Sequence, residues 1–130
     1  MSLSLVWQGS GLHFKSGADG PPIELESSSH HIPSPMHVLA YAVMGCMGMD
    51  VVHILEKGRH DLKGLQISFE GERATETPKR YTSIHLAFHV TGDVSEDAVQ
   101  RAIQLSKDKY CSVLSTLRPD LEFHASVTKG

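Results

Sequence analysis

At 130 residues the chain is expected to form one domain over residues 1–130, long enough to bury a real core. It is 40% hydrophobic and 21% charged with a formal net charge of −3, which disfavours nucleic acid, a polyanion that attracts basic surfaces. No basic start leads into a long apolar run, so neither a leader nor a membrane span is expected, and two cysteines make no disulfide scaffold; a cytoplasmic setting follows.

The first third reads as short strands. Leu3, Leu5 and Trp7 alternate with smaller residues before the turn-forming Gln8-Gly9-Ser10-Gly11. Leu12 and Phe14 share one side of a second strand, and Ile23 and Leu25 alternate with Glu24 and Glu26 in a third. A polar run over 27–34 closes this section. Ser34-Pro35 then opens a helix: serine caps free amides, and proline suits the first helical position because its missing N–H has no partner there. The helix is expected from Pro35 to Lys57, with Gly58 as its stop.

This helix is unusual. At about 100° per residue, Leu39, Ala42, Val43, Cys46, Met49, Asp50 and His53 share one face. Met44, Val51, Val52 and Leu55 occupy the other, so no polar stripe runs through the middle. Its unbroken non-polar stretch, Val38 to Met49, has 12 residues against the roughly 20 that a bilayer requires, which makes it a buried helix. A helix apolar all round has to be covered on every side, and that points to a second copy of the chain. Gly45 and Gly48 each cost about 1 kcal/mol relative to alanine, which close approach of another backbone would offset.

Two clearer strands follow. Leu65, Ile67 and Phe69 line one face of the first; Ile84, Leu86, Phe88 and Val90 point inward from the second, with His85, Ala87 and His89 outward. The polar segment over 74–80 joins them as an antiparallel hairpin. Ser95 caps a helix with acids in its first turn, lysines in its last, and an inward stripe of Val99, Ala102, Ile103 and Ser106. A short helix is expected to start near Cys111, and Leu121, Phe123, Ala125 and Val127 alternate along a closing strand. The order β-β-β-α-β-β-α-α-β gives an α+β domain with mostly antiparallel sheets.

The nine histidines lack metal-ligand spacing, so neither a metal nor another cofactor is expected. Cys46 is either a small core residue or a working thiol. Asp50 and His53, one and two turns further along its face, require partners if buried; they border a polar pocket, pair with each other or meet a second subunit. Cys111 follows Lys107 and Lys109 near the start of a short helix, a setting that favours its thiolate.

The segments "SPMHVLAYAVMGCMGMDVVHILEKGR" and "LSKDKYCSV", in this order and separation, resemble the OsmC/Ohr family (osmotically inducible protein C and organic hydroperoxide resistance proteins). The resemblance rests on Gly45-Cys46, Asp50, Ile54-Leu55, Lys57-Gly58-Arg59 and Tyr110-Cys111-Ser112-Val113. It implies an intertwined homodimer, with sheets wrapped around long central helices, acting as a thiol peroxidase on small hydroperoxides. Cys46 matches the attacking cysteine and Cys111 the resolving one, the resulting disulfide being reduced by an external dithiol. The resemblance thus gives the thiolate role to Cys46, where the local sequence favours Cys111. Family peroxidases also use an early arginine and a glutamate near the start of the central helix. Here no arginine precedes Arg59, and Met36 and His37 stand where the glutamate is expected, so this is a divergent branch. Lys15, His37, His53 and Arg80 are the candidate substitutes, and Met44, Met47 and Met49 the candidate apolar walls for an organic substrate. The alternatives are a non-enzymatic dimeric module that binds a small ligand or senses redox state, and metal binding through His53, Asp50 and a cysteine.

Overall fold

The computed structural model describes residues 1–27 and 29–130; the polar run over 27–34 therefore includes one position outside the described residues. The chain divides into two compact units, Met1–Tyr41 and Ala42–Gly130. The first holds a small antiparallel sheet of β1 (Leu5–Trp7), β2 (Phe14–Ser16) and β3 (Glu24–Leu25), in that order. Gly9 and Gly11 in the turn after β1 have φ of 86° and 53°, a left-handed region that glycine enters without a Cβ clash. Leu5, Val6 and Trp7 are all exposed.

Helix α1 (Pro35–Lys57) begins and ends where the sequence predicts. At its start the Ser34 Oγ accepts from the His37 N–H at 3.2 Å, while the His37 Nδ1 accepts from the Ser34 N–H at 3.1 Å. This is a capping box in which an imidazole takes the place usually held by a carboxylate. At its end, the Arg59 N–H donates to the Glu56 carbonyl and the His60 N–H to the Leu55 carbonyl, both at 3.0 Å. That Schellman pattern puts the left-handed residue at Arg59, with φ 64°, rather than at the expected Gly58.

The second sheet runs β4 (Asp61–Arg73), β5 (Tyr81–Asp93), β6 (Glu122–Lys129). The expected hairpin pairs β4 with β5 antiparallel, setting Leu65 opposite Val90 and Ile67 opposite Phe88. β6 instead lies parallel to β5, because the chain crosses over through α2 (Glu96–Leu105), a π-helical turn (Ser106–Tyr110) and α3 (Ser112–Thr116) before returning. Ser95 caps α2 as predicted, its side chain accepting from the Ala98 N–H at 3.1 Å.

Ile84, Leu86, Phe88 and Val90 are the centre of the core, packed with Val99, Ala102 and Ile103 of α2 and with Val43, Met47, Val51 and Leu55 of α1. Each such side chain stabilises the fold by about 1.5–3 kcal/mol. The buried stripe of α1 is therefore not the predicted one: Val43 belongs to it, but Met49 and His53 are exposed. A helix apolar on all sides gives the periodicity no phase, so sequence alone could not choose the face. By length and composition α1 could cross a bilayer, yet its buried stripe packs in this core.

Gly48 is buried, and a Cβ added there would lie 2.8 Å from Ile67 Cδ1. Its closeness serves packing on β4 within the chain, not another chain's backbone. Gly45 differs: a Cβ there would meet nothing within 4 Å.

Candidate thiol site

Cys46 reaches the site from the middle of α1 and is half-buried; Cys111 arrives from the other end of the chain and is 2% exposed. A local irregularity brings it there. Along α2 the inward positions Val99, Ala102, Ile103 and Ser106 follow the α-helical period, and continuing it would turn Tyr110 inward. The π-helical turn accommodates one further residue, with the Cys111 N–H donating to the Ser106 carbonyl at 2.7 Å. Cys111 thereby enters the core, and Tyr110 is left 50% exposed.

Cys46 lies near enough to Cys111 to favour the protonated form of the Cys111 thiol, and both are free thiols. Cys111 also caps α3, its Sγ accepting from the Leu114 N–H at 3.3 Å. Its thiol is pushed up to about 11, first by burial, then by the neighbouring Cys46 side chain and by the charge of Asp50; the Leu114 amide pulls only partly the other way. This corrects the expectation that neighbouring lysines favour a Cys111 thiolate. Those lysines sit over aromatic rings instead, Lys107 Nζ 5.7 Å from the Phe123 centroid and Lys109 Nζ 5.5 Å from that of Tyr110.

Asp50, one turn beyond Cys46, is anchored by Ser106, whose Oγ–H donates to Asp50 Oδ2 at 2.8 Å. Ser106 is fully buried. Sequence reasoning placed it on the inward stripe but missed its task; the signal was an acid on a mostly apolar helix, which requires a donor. Asp50, Ser106 and Cys111 thus form one connected polar network beside Cys46.

The other candidates have different surroundings. His53 is exposed, so of the alternatives open for it a buried pair with Asp50 is not formed. Among the described residues no group of three or more His, Cys, Asp or Glu side chains is placed to hold a metal ion, so that alternative has no cluster behind it. His37 caps α1. Lys15 is exposed on β2, in the first unit. Arg80 Nη2 lies 3.8 Å from Asp120, which Arg118 also engages through two bonds of 2.9 and 3.0 Å. Met47 is core and cannot wall a pocket, Met49 is 76% exposed, and Met44 is half-buried against the core. A cavity of about 460 Å³ adjoins the site, with Cys111, Leu114, Leu117, Lys107 and Lys109 in its wall.

Comparison with known proteins places the fold in a family. The family model described as OsmC-like protein matches residues 28–125. Protein YhfA of Escherichia coli K12 is 44% identical over 98 residues, covering 74% of this chain and 73% of its own. Among solved structures, a hypothetical protein from Aquifex aeolicus VF5 superposes with a TM-score of 0.88 at 31% identity, over 99% of this chain and 95% of that one. An organic hydroperoxide resistance protein OsmC from Legionella pneumophila shares the fold at 12% identity, with a TM-score of 0.74 over 98% of this chain and 97% of its own. With three quarters of its length matched by the family model and its cysteine-bearing helix inside that match, the chain belongs to the OsmC-like protein family.

Proposed function

We propose that this protein is a thiol-dependent hydroperoxide reductase in which Cys46 attacks and Cys111 resolves. The observation that supports this reading is that Cys46 lies near enough to Cys111 to raise its thiol, although the two come from distant parts of the sequence. In the first step the Cys46 thiolate attacks the outer oxygen of ROOH; the O–O bond breaks, ROH leaves with a proton, and Cys46 becomes a sulfenic acid. In the second, the Cys111 sulfur displaces the hydroxyl, which leaves as water carrying the Cys111 proton, and a disulfide forms. An external dithiol then restores both thiols.

Burial and a protonated state suit Cys111 to waiting. It is a poor nucleophile toward external peroxide and becomes effective only when a sulfenic acid forms beside it. The half-buried Cys46 is the more open of the two. The protein works as a homodimer: Tyr41 and Met49 on α1 are 65% and 76% exposed, and Gly45 faces open space, an apolar surface that a second copy covers. A reducing, cytoplasmic compartment suits two free thiols.

The test is to mix reduced protein with cumene hydroperoxide and follow thiol loss. Cys46→Ser is expected to abolish turnover, whereas Cys111→Ser completes one oxidation and holds a sulfenic acid that dimedone captures. Thiols unchanged after prolonged exposure rule the reading out.

A further inference from the structure

Two directional bonds converge on Ser106 at the point where the chain brings Cys111 into the core. Its hydroxyl donates to Asp50 Oδ2 at 2.8 Å, and its carbonyl accepts from the Cys111 N–H at 2.7 Å. Asp50 follows Cys46 by one turn along the same face of α1. Ser106 therefore links the helix that carries one sulfur to the backbone of the residue that carries the other. A disulfide tolerates Cα separations of only about 4.4–6.8 Å, so two cysteines on different elements need their spacing held closely. Apolar packing alone does not supply that, because burial is non-directional. We propose that Asp50 and Ser106 are positioning residues, a clamp between α1 and the π-helical turn that keeps Cys46 and Cys111 within bridging reach. The proposal rests on the reading of these cysteines as a redox pair.

The chemistry of the two residues fits a clamp better than a core contact. Ser106 is fully buried and Asp50 half-buried. Taking a hydroxyl and a carboxylate out of water costs stability that an apolar pair of the same size would not. The serine hydroxyl has one proton, here given to Asp50, on a stem of a single carbon, so the bond fixes the spacing of the two elements closely. Further along, the Leu114 N–H donates to Cys111 Sγ at 3.3 Å and the Ser115 N–H to the Cys111 carbonyl at 3.0 Å. Cys111 is thus held on both sides of its Cα, and the Ser106 hydroxyl ties that whole assembly to α1. Asp50 also brings a charge that, after burial, helps keep Cys111 protonated. Charge and hydrogen bond are separable, because asparagine retains an acceptor oxygen and carries no charge.

The experiment uses full-length protein and needs no peroxide. Diamide takes two electrons and two protons from the thiols, leaving the Cys46–Cys111 disulfide and a hydrazine. The protein is then equilibrated anaerobically with glutathione at neutral pH, where two glutathione thiols reduce the bond and give both protein thiols and one glutathione disulfide. Acid quench, alkylation and mass spectrometry yield the equilibrium constant, which is the effective concentration of one cysteine at the other. Asp50→Ala and Ser106→Ala should each lower it about three- to tenfold, whereas Asp50→Asn should stay within about twofold of wild type. Val94→Ala, a buried control at the other end of α2, should lower stability in urea and leave the constant unchanged. A fall in Asp50→Asn as large as that in Ser106→Ala assigns the role to charge and overturns the clamp. So does an unchanged Ser106→Ala, or an equal fall in Val94→Ala. If Asp50→Ala fails to fold, Ser106→Ala and Asp50→Asn decide alone. No disulfide even with diamide overturns the redox pair and the clamp together, whereas a disulfide with the same constant in every variant overturns only the clamp.

Discussion

Ionising Cys111 should cost the fold stability, and the size of the effect follows from its burial. A thiol at 9.0 in the unfolded chain and about 11 in the folded one is an acid whose folded value is raised. Its contribution is therefore fully present below the unfolded value and lost as pH rises through the window from about 9 to about 11. The full loss is about 3 kcal/mol, and roughly half of it has gone by pH 10. At 2% exposure, an ionised Cys111 sulfur would have almost no water around it. The assay is urea unfolding of reduced protein at pH 8 and pH 10, at fixed protein concentration, for wild type and Cys111→Ala. The other groups are common to both proteins, so the difference between the two losses reports on Cys111 and its interaction with Cys46. Cys111→Ala should start less stable and lose about 1 kcal/mol less between the two pH values. Equal losses would contradict a buried, neutral Cys111.

Asp50→Ala leaves the buried Ser106 hydroxyl without its acceptor and should cost about 1–3 kcal/mol in urea unfolding, whereas Asp50→Asn retains an acceptor oxygen and should cost clearly less. Arg59→Gly relieves a side chain held at φ 64° and should stabilise the protein by about 0.5–1 kcal/mol, read as a raised thermal midpoint. Gly48→Leu forces a side chain onto Ile67 and should cost about 1–3 kcal/mol of chain stability, while Gly45→Leu should spare the fold and lower the mass seen by light scattering, since Gly45 faces open space.

Much of the fold was legible because local signals agreed with one another. Ser34-Pro35 marks the start of α1, Ser95 caps α2, and the alternation of Ile84, Leu86, Phe88 and Val90 gives the inner face of β5. Three features were hidden for physical reasons. Helix α1 is apolar all round, so its core stripe was settled only by the sheet beneath it, and Met49 and His53 fell outside. The π-helical turn, a one-residue change in phase, carries no compositional mark, and it decides that Cys111 rather than Tyr110 points inward. The direction of β6 depends on the crossover, not on its own residues. At the site, a joint role for the cysteines was suggested only by the family resemblance. The local charge pattern around Cys111 misled, because burial outweighs two lysines engaged with aromatic rings.

The most direct measurement is peptide mapping after one equivalent of cumene hydroperoxide is added to the reduced protein at neutral pH. A single product two mass units lighter, with the peptides containing Cys46 and Cys111 joined, is the expected result. Cys46 held as a sulfenic acid that dimedone captures, with Cys111 still free, would contradict a cooperating pair.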